Sequence, residues 1–119
     1  MNHYEVPAIM EDELPAIKEE LKDNCILGNV NAAMQVLVKH TKKMMRLHDL
    51  PAVAHCMRLA DKLYDKGNTI VKNAVENVFV YSFSGLRGCC DQWEWKSVQS
   101  KMPMTLYSLY VKQIYRSGL

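Results

Sequence analysis

The most coherent set of chemically active side chains in this sequence is a row of cations. The row begins at the neutral Gln35 and continues with the cations Lys39, Lys42 and Arg46 at i+4, i+7 and i+11. Lys43 lies beside it. In a helix these positions share one ridge. Such a ridge is usually a solvated helix face, and here the acidic N-terminal segment could neutralise part of it. The alternative is an anion site for nucleic-acid phosphate, a membrane surface or an acidic protein. Because the pI is only about 8.3 and no nucleic-acid recognition motif is found, an acidic protein partner is the preferred functional interpretation.

A second set of candidate binding residues is aromatic and lies in the C-terminal third. Its members are two tryptophans two residues apart and three tyrosines further on: Trp93, Trp95, Tyr107, Tyr110 and Tyr115. Residues two apart on a helix cannot both face the core, so one tryptophan is expected to be exposed. Exposed tryptophan is typical of interfaces. Packing is the competing interpretation, since a tyrosine hydroxyl permits half-burial.

Signatures of catalysis and of metal binding are missing from the sequence. It contains no Gly-x-Ser-x-Gly, no His-Glu-x-x-His and no glycine-rich phosphate loop. One poorly spaced set of metal-binding side chains surrounds a predicted turn: His40, His48, His55 and Cys56. Surface or capping roles are preferred for these histidines. The sequence therefore predicts a protein that is not an enzyme and uses no cofactor or metal.

Composition is that of an ordinary globular chain. Its 119 residues, 49% hydrophobic and 24% charged, suffice for one modest core. No apolar run approaches the roughly 20 residues that span a membrane, and the acidic N-terminus does not resemble a signal peptide. Four cysteines without a Cys-x-x-Cys pattern are interpreted as free thiols in a reducing compartment, with adjacent Cys89 and Cys90 as a redox or metal alternative. These features predict a cytoplasmic protein that does not engage membranes.

Three predicted helices joined by two tight turns position the candidate residues. Apolar residues recur at helical spacing over residues 29–48, and Asp49 then caps a second helix over residues 50–66. Gly67 is expected in the left-handed conformation past that helix, and Asn68 is expected to cap the third. Connections this short make neighbouring helices antiparallel.

The third predicted helix is ambiguous. Residues 78–83 are rich in strand-favouring types and on their own could form a β-strand. Over residues 70–83, however, apolar pairs four apart oppose a polar side, so a helix is preferred. Further on, a short helix capped by Asp91 would place Trp95, Val98 and Met102 on one face.

The predicted fold is all-α, with antiparallel helical hairpins stacked as a small helical-repeat-like bundle of about five to six helices. A single domain over residues 1–119 would contain three parts. Residues 1–28 would form acidic N-terminal helices and a linker, residues 29–86 a central three-helix core, and residues 87–119 an aromatic C-terminal region.

Two resemblances bear on architecture and function. Residues 60–64 followed by residues 67–68 resemble the helical hairpins of tetratricopeptide and HEAT-like proteins, which implies a stacked-hairpin architecture. Residues 13–18, 72–77 and 103–110 together resemble small uncharacterised bacterial helical proteins, some of them similar to immunity proteins that neutralise toxins of competing bacteria. This resemblance implies a bacterial, immunity-like or adaptor protein that binds another protein. Nucleic-acid or other polyanion binding through the basic ridge is the alternative function. Association of the chain with copies of itself, as a homo-oligomer, is a further alternative.

Overall fold

Every regular element that the structure describes is helical. The computed structural model describes residues 2–22 and 28–117, with the side chains of 116 and 117 excepted, and contains no strand in those ranges. The α-helices in chain order are α1 (Val6–Glu13), α2 (Lys18–Leu21), α3 (Val30–Arg46), α4 (Leu50–Lys66), α5 (Thr69–Ala74), α6 (Phe83–Arg87), α7 (Gln92–Lys101) and α8 (Met104–Ser117). A 3-10 turn, Pro15–Ile17, leads into α2. The all-α prediction is confirmed, and part of the predicted linker, residues 23–27, lies outside the described residues.

Side-chain caps fix the start of each helix in the central part of the chain. The side-chain oxygen Oδ1 of Asn29 accepts from the Ala32 N–H, and the Asp49 carboxylate accepts from the Ala52 N–H. The Asn68 side chain does the same at the start of α5. Each cap satisfies a backbone donor that the first helical turn leaves free. The caps predicted at Asp49 and Asn68 are confirmed.

Gly67 ends α4, but not in the conformation that its residue type suggested. Its φ of −77° and ψ of 156° are extended, so the left-handed prediction is wrong. Glycine is required there because of a close approach: a Cβ at this position would lie 2.5 Å from the Leu63 carbonyl oxygen and 2.5 Å from Val71 Cγ1. The turn between α4 and α5 is therefore too tight for any side chain.

Residues 69–87 form one continuous but irregular helical segment. After α5 the backbone widens into a π-helix, Val75–Phe79, then tightens into a 3-10 helix, Val80–Ser82, before α6. The preference for helix over strand at residues 78–83 is thus confirmed. The two changes of helical pitch were not predicted.

The core lies around α3. This helix packs against α4, with which it forms an antiparallel hairpin, and against the π-helical segment. Helices α1 and α2 cover one side, while α7 and α8 pack on α4. An aromatic cluster closes the C-terminal side with ring centroids 5.4–6.3 Å apart: Phe79, Phe83, Trp95 and Tyr110. Rings at such separations and steep angles add to the burial energy.

The acidic N-terminal helices pair with cations of the helices beneath them. The Glu13 carboxylate accepts a hydrogen bond from Lys62 Nζ at 2.6 Å, and that bond together with the lysine charge lowers the pKa of Glu13. Glu20 lies 3.8 Å from Lys39 Nζ. The sequence suggested that this segment neutralises part of the basic ridge, and the pair of Glu20 with Lys39 confirms it.

No helix in the described residues is long and apolar enough to cross a bilayer.

Candidate binding groove

A groove of about 550 Å³ lies between α3, the irregular segment and α8. This volume falls within the range of about 300–1,000 Å³ that is usual for ligand sites. Its apolar lining consists of Val38, Val78, Val80 and Ile114. Its neutral polar lining consists of Gln35, Asn77, Ser82, Ser84 and Gln113, and the remaining lining residues are Lys42, Tyr81, Gly85 and Tyr110. We refer to these residues together as the groove.

The change of helical pitch shapes one wall of the groove. The Val80 N–H donates to the Val75 carbonyl, a π-type bond, instead of to the Glu76 carbonyl as it would in an α-helix. The Glu76 carbonyl instead accepts from Gln113 Nε2 at 2.7 Å. The π-helix thus frees an acceptor, and a side chain of α8 satisfies it. Bulges of this type occur frequently at functional sites.

Removing the Gln113 amide is expected to weaken the fold measurably. Gln113→Leu leaves the half-buried Glu76 carbonyl without its partner, which should cost about 1–3 kcal/mol in the free energy of unfolding. Gln99→Leu is the matched control, because Gln99 is also half-buried but its side chain forms no hydrogen bond with a described residue. Urea unfolding followed by circular dichroism measures both variants. Equal losses would contradict the assigned bond.

The described residues of the groove carry one positive charge and no negative one. Lys42 is half-buried and forms no ion pair with any described residue. Its ammonium lies against bare backbone, since a Cβ at Gly85 would be only 3.2 Å from Lys42 Nζ. No Asp, Glu or His is among the described lining residues. At the rim, the Tyr81 side chain is 74% exposed.

The structure divides the predicted basic ridge. Gln35 and Lys42 line the groove, while Lys39 turns toward Glu20. Lys43 and Arg46 are exposed and have no ion pair among the described residues. Only one of the four predicted cationic site residues therefore belongs to the groove.

The predicted aromatic residues are also divided. Trp95 and Tyr110 are buried in the aromatic cluster, and Tyr110 also reaches the groove. Trp93 is 76% exposed, with the Lys96 ammonium 5.1 Å from its ring centroid. The expectation that one tryptophan is exposed is confirmed. Tyr107 and Tyr115 are exposed on α8, outside the groove lining.

The histidines serve separate structural contacts. His48 Nδ1 lies 2.6 Å from Glu94 Oε2, and His55 Nε2 lies 2.9 Å from the Glu13 carbonyl oxygen. Burial, followed by the nearby charge of Lys43, lowers the pKa of His40. Among the described residues, no three His, Cys, Asp or Glu side chains come together as metal ligands would.

The three described cysteines are free thiols, and Cys25 lies outside the described residues. Burial raises the pKa of Cys56 and, with the charges of Glu94 and Asp91, that of Cys90. Both thiols are therefore protonated and weakly nucleophilic near neutral pH. Cys90 borders a smaller hollow of about 350 Å³ whose charged lining mixes both signs: Arg87, Asp91 and Lys96.

Fold and groove together define a small all-α protein with a lateral groove whose described lining contains one cation. A family model described as "Domain of unknown function (DUF7674)" matches residues 7–116. The chain belongs to that family, and the matched range includes every groove residue. No curated protein and no solved structure matches the chain.

Proposed function

We propose that this chain is a non-enzymatic protein-interaction module that holds a segment of a partner protein in the groove. The observation that carries the proposal is the composition of the lining: four apolar residues, five neutral side chains that can form hydrogen bonds, and the half-buried Lys42. Such a combination of apolar area with a few convergent polar groups is typical of binding sites.

The titratable groups of the groove support binding over catalysis. Among the described lining residues they are Lys42, Tyr81 and Tyr110, and this part of the lining contains no carboxylate or imidazole side chain. General acid–base or nucleophilic chemistry depends on such a neighbour to activate the reacting group. The described lining therefore favours recognition over proton transfer.

The proposal extends to an immunity-like or adaptor role in the bacterial cytoplasm. Its support is the sequence resemblance to small bacterial helical proteins and the free thiols at Cys56, Cys89 and Cys90, which are usual in a reducing compartment. Trp93 and Tyr107, exposed on α7 and α8, remain predicted partner contacts outside the groove.

Site-specific photo-crosslinking in cells of the source organism tests the proposal. A photoreactive benzoyl-phenylalanine at position 81, on the groove rim, should give a discrete protein adduct. The same group at position 115 is the control, because Tyr115 is 81% exposed but does not line the groove. Equal adducts from both positions, or none from position 81, would argue against the groove as the docking site.

A second candidate function is polyanion binding on the basic ridge. It is favoured by the exposure of Lys43 and Arg46 without ion pairs among the described residues. If it operates, affinity for DNA or RNA should fall steeply with salt and should be abolished by Lys43→Glu combined with Arg46→Glu. Affinity that is insensitive to both changes would remove this candidate.

A further inference from the structure

We infer that the groove selects a partner segment that carries an acidic and an apolar side chain, with Lys42 binding the carboxylate. This inference rests on the proposed function and specifies its ligand. Three features of the groove carry it: the unpaired charge of the lysine, the glycine backbone beside its ammonium and the apolar residues that line the same groove.

The Lys42 charge lacks a counter-charge where it lies. The side chain is half-buried, the described lining residues include no carboxylate, and no described residue forms an ion pair with it. Removing an ammonium from water is unfavourable unless an anion or strong acceptors replace the water. A carboxylate from a partner would restore that balance and form a charge-assisted hydrogen bond.

The backbone beside the ammonium leaves room for a ligand. Gly85 presents no side chain, and the Lys42 ammonium lies 3.2 Å from the place where a Cβ would stand. The hydroxyl of Ser84, which directly precedes Gly85, also lines the groove and can donate a hydrogen bond to a bound carboxylate. A carboxylate bound at Lys42 would therefore meet no competing acid among the described lining residues.

The apolar lining begins one helical turn from the lysine. Val38 and Lys42 are four residues apart on α3, which corresponds to a rise of about 6 Å. Val78 and Ile114 line the groove together with Val38. A partner segment that binds its carboxylate at Lys42 can therefore place an apolar side chain against these three residues.

A peptide selection tests the inference. The full chain is panned against a phage library of random dodecapeptides, and the selected peptides are synthesised and titrated by fluorescence anisotropy. We expect them to share an Asp or Glu together with at least one Leu, Ile, Met or Phe. Lys42→Gln should weaken their binding about tenfold, while Lys43→Gln, one residue along and exposed, should change it less than about twofold.

A glycine pair provides a second test that leaves the lysine in place. Gly85→Ala pushes the new Cβ against Lys42 Nζ and should weaken binding about threefold or more. Gly88→Ala is the control, since the nearest atom to its Cβ would be the Gly85 carbonyl oxygen at 3.4 Å, an ordinary contact. Both variants are first checked for helical content by circular dichroism.

Failure of the inference and failure of the proposed function give different results. Ser84→Trp fills the groove without touching the charge of Lys42. Peptides that lose binding to Ser84→Trp but not to Lys42→Gln, or that share no acidic residue, would overturn the inference and leave the groove as a docking site. Peptides insensitive to both variants, or a selection that yields none, would overturn both.

Discussion

Trp95→Ala is expected to lower the free energy of unfolding by about 3–5 kcal/mol. The Trp95 side chain is only 4% exposed, and its ring contacts Phe83 and Tyr110 at centroid distances of 6.3 and 6.1 Å. Alanine would lose these contacts and leave a cavity at the place where α7 and α8 meet the irregular segment. Urea unfolding followed by circular dichroism measures the loss.

Trp93→Ala is the matched control, because it removes the same side chain from the same helix two residues earlier. Trp93 is exposed, and its described ring contact is the Lys96 ammonium. Its loss should change the free energy of unfolding by no more than about 1 kcal/mol. Comparable losses from the two variants would mean that α7 does not present the faces described here.

Gly67→Ala is expected to destabilise the protein by about 1–3 kcal/mol, or more if the turn cannot open. The new Cβ would meet the Leu63 carbonyl oxygen and Val71 Cγ1 at 2.5 Å, and one of these atoms belongs to the backbone of α4. The strain can be relieved only by moving α5 away from α4. Thermal unfolding measures the effect.

Gly88→Ala is the comparison for that prediction. Gly88 has φ −71° and ψ −12°, which alanine adopts without strain, and its Cβ would have ordinary contacts. The substitution should be neutral or should stabilise the protein by up to about 1 kcal/mol, because it restricts the unfolded chain. A Gly67→Ala variant as stable as Gly88→Ala would contradict the close approach at the turn.

The helix boundaries were largely predictable because local signals determine them. Asp49 and Asn68 are short acceptors at positions where a helix leaves donors free, and their roles follow from residue type. Periodicity likewise placed Trp95, Val98 and Met102 on one face, and all three are buried. These inferences needed no knowledge of which helices pack together.

The conformation of Gly67 could not be predicted in the same way. Glycine past a helix end is compatible with a left-handed φ and with a close approach, and the sequence signal is the same for both. The packing of Val71 against the turn decides between them. That contact depends on how α5 crosses α4, which is tertiary information.

The groove was only partly predictable because three distant parts of the chain build it. The cation pattern identified Lys42 but gave no reason to separate it from Lys39 or Lys43. Tyr81 and Gln113 were missed as site residues, since their positions depend on the change of helical pitch at Val75–Phe79. The one available signal was a polar glutamine within the largely apolar last helix.

An NMR titration of the isotope-labelled chain with a library-selected peptide tests the central claim, that the groove is the docking site. The account predicts the largest backbone amide shifts along residues 77–85, with further shifts near Lys42 and Gln113 and little change at residues 43–46 or around Trp93. Shifts concentrated at the exposed cations or at Trp93, with the groove amides unchanged, would contradict it.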